Sequence, residues 1–230
     1  PTIKELFFEF NDINHDIVGN PLLLSEISNN YQANLSYKAD LKLLQFTFDL
    51  SYFHNKIINK IDLVSSIDNY NQYTYYNFNK FKTNGVSSNI KISSNSMIMN
   101  TGFSLIGVST EDITIKYDYV SSFSTSILYR INNSISFNTF YRFSPAQKRY
   151  VFDDQNNLTQ FSNDSYNMLD CSFKTYFSNK KISINFGIKN IFDVKQINNI
   201  NSDTSIHSSN NSIMTIGYGR SYFSSININL

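Results

Sequence analysis

The sequence predicts an all-β chain: an antiparallel transmembrane β-barrel wall of about nine meandering strands, forming a partial barrel. Three observations predict it. Apolar and polar residues alternate with period two through one segment after another. The connections between those segments are alternately short and long, the layout of a barrel with short periplasmic turns and long extracellular loops. The composition is 16% aromatic and only 16% charged, where a soluble domain carries about 25% charge. Ser, Asn and Thr supply the missing polarity.

The strands follow in order. Tyr31, Ala33, Leu35 and Tyr37 alternate with Gln32, Asn34, Ser36 and Lys38. After a turn at Ala39-Asp40, Leu44, Phe46, Phe48, Leu50 and Tyr52 oppose Gln45, Thr47, Asp49 and Ser51. Residues 73–92 fit less well: Val86, Ile90 and Ile92 are in phase, but Lys80 and Lys82 share their face. Those lysines require that part of the strand to stand clear of apolar surroundings. Met97, Met99, Phe103 and Leu105 make the fourth apolar face, and Tyr117, Tyr119, Phe123, Ile127 and Tyr129 the fifth. Ile135, Phe137, Tyr141 and Phe143 follow, then Leu169, Cys171, Phe173 and Phe177, then Ile182, Ile184, Phe186 and Ile188. The ninth is Tyr222, Ile226, Ile228 and Leu230. Because side chains alternate across a strand, each segment is a two-faced ribbon. Long connections are expected at about 58–72, 144–165 and 196–216, and a shorter one near 108–113.

A soluble β-sandwich would use the same alternation to bury one face. Three features oppose it here: Tyr and Phe gather towards the strand ends like interfacial girdles, Gly and Pro number only 7 and 3, and the polar face is rich in Ser and Asn rather than Lys and Glu.

Other classes are weakly supported. With 19 basic and 18 acidic residues the net charge is +1, without the basic excess of a nucleic-acid binder. The single Cys171 excludes an internal disulfide framework and multi-cysteine metal centres. No apolar run approaches the length of a transmembrane helix. The chain opens at Pro1 without a leader-like segment and is expected to be a mature or excised piece. His15, His54 and His207 are scattered, and no nucleophile, phosphate-loop or dinucleotide motif occurs. The expectation is therefore no enzyme, no metal and no cofactor. Asp153, Asp154 and Asp164 in one loop offer oxygen ligands for Ca²⁺, with a hydrated polar loop as the plainer reading. Tyr70, Tyr73, Tyr75 and Tyr76 form a run beside an expected external loop. They suit either stacking on a ligand or the upper aromatic girdle.

Two stretches carry a family resemblance. Pro1-Thr-Ile-Lys-Glu-Leu6, Gly19-Asn-Pro-Leu-Leu-Leu-Ser-Glu26 and Asn30-Tyr31 resemble the "P-S/T-L-K-E-L … G-N-P-x-L-x-x-E … N-Y" stretch of TonB-dependent outer-membrane receptors. Phe186-Gly-Ile-Lys-Asn-Ile-Phe-Asp193 and Gly219-Arg-Ser-Tyr-Phe223 are similar to that family's "G-x-x-N-L-F-D" and closing-strand segments. Ser25 stands where the family usually has Pro, and Leu230 where it most often ends in Phe. The resemblance implies that residues 1–230 are the C-terminal part of a 22-stranded barrel, without the plug domain and the N-terminal strands. It implies TonB-energised uptake of a ferric siderophore, haem or cobalamin. The implied partners are the rest of the receptor, outer-membrane lipid, TonB through the missing N-terminal part, and the barrel-assembly machinery. That machinery would read Tyr222, Ile226, Ile228 and Leu230. A small free-standing outer-membrane barrel with a structural or adhesion role is the alternative. Strand parity favours the first, because single-chain bacterial barrels have even numbers of strands and open edges do not persist in hydrocarbon.

Overall fold

The computed structural model describes residues 1–11, 16–66, 72–153, 155, 157–177, 181–201 and 213–228. Nine long strands make the wall: β3 (Ile27–Leu41), β4 (Leu44–Ser66), β5 (Gln72–Ser94), β6 (Met97–Thr110), β7 (Thr114–Arg130), β8 (Ile135–Ser144), β11 (Tyr166–Phe177), β12 (Ile182–Lys189) and β15 (Ser221–Ile228). Each pairs antiparallel with the next, a plain meander. β3 pairs only with β4 and β15 only with β12. Among the described residues both outer edges are therefore open.

The register puts like faces together. Tyr37 lies opposite Phe48 and Phe48 opposite Ile90. Further along, Tyr129 meets Phe137, Phe137 meets Phe173, and Phe173 meets Phe186. The last two contacts bring ring centroids to 4.8 and 5.7 Å, so this row is an aromatic ladder. The polar face is joined by hydroxyls and amides: Ser104 to Ser122 at 2.7 Å, and Asn55 to Thr83 at 3.0 Å. A one-residue slip would exchange the two faces, which is why alternation fixes the pairing.

The apolar face is not a core. Phe173 and Phe186 are 40% and 52% exposed and Ile226 66%, although each lies within the sheet. Among the described residues the buried apolar side chains are Leu23, Val64, Phe78, Phe81, Val151 and Ile197, all towards the long-loop end. A continuous exposed apolar belt, with the buried apolar side chains of the described residues gathered at one rim, is the inverse of a soluble domain.

The long connections carry structure that sequence alternation did not reveal. Helix α1 (Ile3–Phe7) and strands β1 (Glu9–Asn11) and β2 (Asp16–Val18) precede the wall, and β2 pairs parallel with β5. The expected loop at 58–72 is mostly strand, since β4 runs to Ser66 and β5 starts at Gln72. The expected loops at 144–165 and 196–216 contain β9 (Lys148–Phe152) with β10 (Leu158–Asn163), and β13 (Gln196–Asn201) with β14 (Ile213–Thr215). These four strands and the top of β4 continue the sheet in the order β14-β13-β10-β9-β4. Local pairing thus satisfies backbone groups in segments whose side chains are too polar to alternate.

Candidate functional site

At the long-loop end, β4 and β5 run past the aromatic girdle, and their alternation shifts by one residue. Asn59 adopts φ 55° and spends its side-chain amide on the Ser25 carbonyl. Across from it, the Asn79 backbone and amide nitrogens both donate to Asp112. Beyond this shift Phe78 joins Phe81 on the polar side, their centroids 6.3 Å apart. The mouth would otherwise be open to water, and these two rings give it a core.

The β8–β11 connection covers them. Tyr150 lies 5.0 Å from Phe78, and Phe152 lies edge-on to Tyr76 at 5.3 Å. β9 pairs parallel with the top of β4 through Ser65–Val151 and Ser66–Phe152. Lys148 forms an ion pair with Asp118 of β7, tying the connection to the wall. Lys60 is bonded to Asp62 and sits 4.2 Å over the Phe81 ring, a cation–π arrangement. Together these elements line a half-open cavity of about 660 Å³, within the range that holds a small ligand. Burial, with the Asp62 carboxylate nearby, pushes the Tyr150 hydroxyl above the usual phenol range. It stays protonated and able to donate.

The expected site residues fare differently. Tyr73 lines this cavity, whereas Tyr75 is used through its backbone carbonyl, which accepts from Asn20 Nδ2 at 2.9 Å. Tyr70 lies outside the described residues, as do His15, His207, Asp154 and Leu230. Tyr222, Ile226 and Ile228 share one face, opposite Ile188, Ile184 and Ile182. His54 faces the apolar side beside Tyr31, centroids 6.4 Å apart. Cys171 lies opposite Ile188 and Thr139, a small side chain in an apolar row. Asp153 does not present a free carboxylate for Ca²⁺: it accepts from the backbone nitrogens of Gln155 and Asn157, closing the β9–β10 turn. Those bonds hold its carboxyl below the usual range. Among the described residues no group of three His, Cys, Asp or Glu could hold a metal. Sequence reasoning missed Lys60, Asp62, Phe78, Asp118, Lys148 and Tyr150. Only the three-residue spacing of Phe78 and Phe81, out of step with a strand, signalled them.

The motif stretches turn out to be clasps. Asn190 and Asp193 both adopt positive φ, and the Asn190 side chain bridges to both backbone groups of Val194. Asp193 Oδ1 accepts from the Arg220 backbone N–H at 2.7 Å, and the Arg220 guanidinium donates to the Ile191 carbonyl. Gly219, at φ 83°, passes so close to Asp193 that a Cβ would sit 2.5 Å from its carboxylate. At the other end, Thr2 and Glu5 form a capping box on α1. Glu26 accepts from the Ile61 N–H at 2.6 Å, docking the lead-in stretch on β4.

Comparison with known proteins places this geometry. Residues 5–222 match the model of the outer membrane protein beta-barrel family. No curated protein sequence matches. Among solved structures, the chain is similar to the ferripyoverdine receptor of the Pseudomonas aeruginosa outer membrane bound to ferripyoverdine, with 17% identity and a TM-score of 0.59. That match covers 90% of this chain and 28% of the receptor. It is similar to the siderophore receptor PirA from Acinetobacter baumannii, with 18% identity over 92% of this chain and 33% of that one, TM-score 0.57. It is also similar to the FrpB iron transporter from Neisseria meningitidis, with 14% identity, 92% and 32% coverage and a TM-score of 0.59. At such identities the likeness is one of fold. The chain spans about a third of the length of these structures.

Proposed function

The chain belongs to the outer membrane protein beta-barrel family and lies in the bacterial outer membrane, and from that premise we propose that it forms the C-terminal wall of a TonB-dependent receptor. The apolar belt meets lipid and the Ser/Asn-rich face meets a wet lumen. The observation that carries the proposal is the pair of open edges on β3 and β15. Each presents a row of unpaired backbone groups that hydrocarbon does not tolerate, so further strands of the same receptor are required to close the wall. This favours the receptor over a small free-standing barrel.

A ferric siderophore is the leading substrate, with haem and cobalamin behind it, because the proteins that share this fold include a ferripyoverdine receptor, a siderophore receptor and an iron transporter. In this reading the mouth cavity supplies one side of the ligand surface. Tyr73, Phe78 and Tyr150 offer ring faces, and the Lys60–Asp62 and Lys148–Asp118 pairs offer charge. A plug and the coupling to TonB come from outside residues 1–230. The final strand, through Tyr222, Ile226, Ile228 and Leu230, carries the signal for barrel assembly.

The test is uptake of radiolabelled iron siderophores by cells bearing the parent receptor, with and without TonB. Accumulation should require TonB while surface binding does not, and removing residues 145–163 should weaken binding. Accumulation at equal rates without TonB would overturn the proposal.

A further inference from the structure

The lysines that break phase on β5 point to a second site, on the outside of the wall. Lys56 of β4 and Lys82 of β5 are direct cross-strand neighbours, and both belong to the lipid-facing set, in step with Tyr52 and Val86. Like charges placed directly opposite destabilise a sheet. Lys80 on the same face is neutralised by Glu111 at 2.9 Å. Neither Lys56 nor Lys82 has an ion-pair partner among the described residues. Asn29 lies opposite Lys56 on β3, and the His54–Asn84 pair lies one step below. The patch is therefore cationic and hydrogen-bonding, and among the described residues no carboxylate pairs with it.

Its height decides what it meets. Lys56 is about 12 residues above Leu44, and Lys82 about 12 above Ser94, at the short-turn end. With a rise of about 3.3 Å per residue and a tilt near 40°, both stand about 30 Å above the periplasmic turns. The apolar band of an outer-membrane barrel is about 25 Å tall. The two ammonium groups thus leave the hydrocarbon where the headgroups of the outer leaflet begin, just above Tyr52 and His54.

We propose that Lys56 and Lys82 bind the phosphate of an outer-leaflet glycolipid, with Asn29, His54 and Asn84 at its margin. One bound phosphate offsets the repulsion between the two ammonium groups and forms charge-assisted hydrogen bonds to both. The site rests on the outer-membrane placement and not on the transported substrate, so it stands or falls apart from the uptake experiment.

The test uses the parent outer-membrane protein purified in neutral detergent. Its thermal midpoint is read by heat-modifiable gel mobility during titration with phosphorylated lipid A, dephosphorylated lipid A or inorganic phosphate. Phosphorylated lipid A should raise the midpoint, and the other two should not. Lys56→Gln/Lys82→Gln should lose the shift, and Lys91→Gln, whose parent side chain faces the lumen opposite Thr47, should keep it. Lys82→Glu hands Lys56 an internal partner. It should raise the lipid-free midpoint and abolish the lipid response, which separates loss of a site from failure to fold. An equal shift with dephosphorylated lipid A, a shift with inorganic phosphate alone, or loss of the shift in Lys91→Gln would each overturn the assignment.

Discussion

Phe48 and Asp49 are chain neighbours that face different media. Phe48 lies between Tyr37 and Ile90 on the lipid side, while Asp49 accepts from Ser36 Oγ at 2.5 Å in the lumen. Replacing Phe48 with Arg near mid-bilayer should cost roughly 2–4 kcal/mol. Asp49→Arg should cost about 1 kcal/mol at most, the worth of one hydrogen bond. Denaturant unfolding of the parent protein from lipid vesicles checks both, and similar costs at the two positions would contradict the assignment of faces. Asp193 carries a pH dependence. The Arg220 backbone N–H, with the Lys195 ammonium nearby, holds its carboxyl below the ordinary range. A depressed carboxyl stabilises the fold above its unfolded pKa of about 3.9, and the contribution is lost as pH falls through the folded value. Acidification from about pH 5 to about pH 3 should therefore lower the thermal midpoint, and Asp193→Asn should begin lower and respond less. Phe48 and Asp49 were legible from alternation alone. Asp193 was visible only as part of a motif, because no periodic pattern says that a turn carboxylate will reach an N–H 27 residues away.

At the scale of elements, all nine wall strands were legible, and so were the facing sets below the shift at Asn59, because a two-residue period leaves one register that keeps both faces matched. The rim strands were not. β9, β10 and β13 are short, and the wall strands beside them continue above the bilayer, where neither face must be apolar. Two positions test how the last strands are held. Gly187 of β12 lies under the Phe223 ring, and a Cβ there would stand 2.7 Å from that ring and 2.5 Å from the Cys171 carbonyl. Gly187→Ala should destabilise by about 1–3 kcal/mol through overpacking, whereas Gly217→Ala, with nothing within 4 Å, should not; thermal melts of the two variants decide. On β15, Ile228 lies opposite Ile182 on the lipid side, and Asn227 opposite Ser183 on the lumen side. Ile228→Asp should reduce the amount of the parent protein reaching the outer membrane, while Asn227→Asp should not. Equal levels would show that the strand is a wall element without a role in assembly.

For the whole molecule, arc length sets the terms. Nine strands at a spacing of about 4.8 Å, tilted near 40°, span about 55 Å of wall. Closing that arc on itself would draw β3 and β15 together around a lumen far narrower than that of a 22-stranded transporter. It would also press the mouth hairpin β9–β10, with Tyr150 and Phe152, against the opposite wall. The structure keeps the hairpin on β4 and, among the described residues, leaves both edges unpaired. The open sheet was legible in the odd strand count, and the mouth cavity was not, since its residues come from β4, β5, β6, β7 and a polar connection with no shared motif. Residues 1–230 alone, refolded into lipid vesicles, should therefore fail to give a heat-modifiable, protease-resistant monomer. Supplying the preceding strands of the parent in trans should restore one, because β3 and β15 then find partners by strand addition. A compact, protease-resistant monomer from the isolated chain would mean that the two edges can zip together. The lumen would then be too narrow for a plug, and the receptor reading would give way to the free-standing barrel.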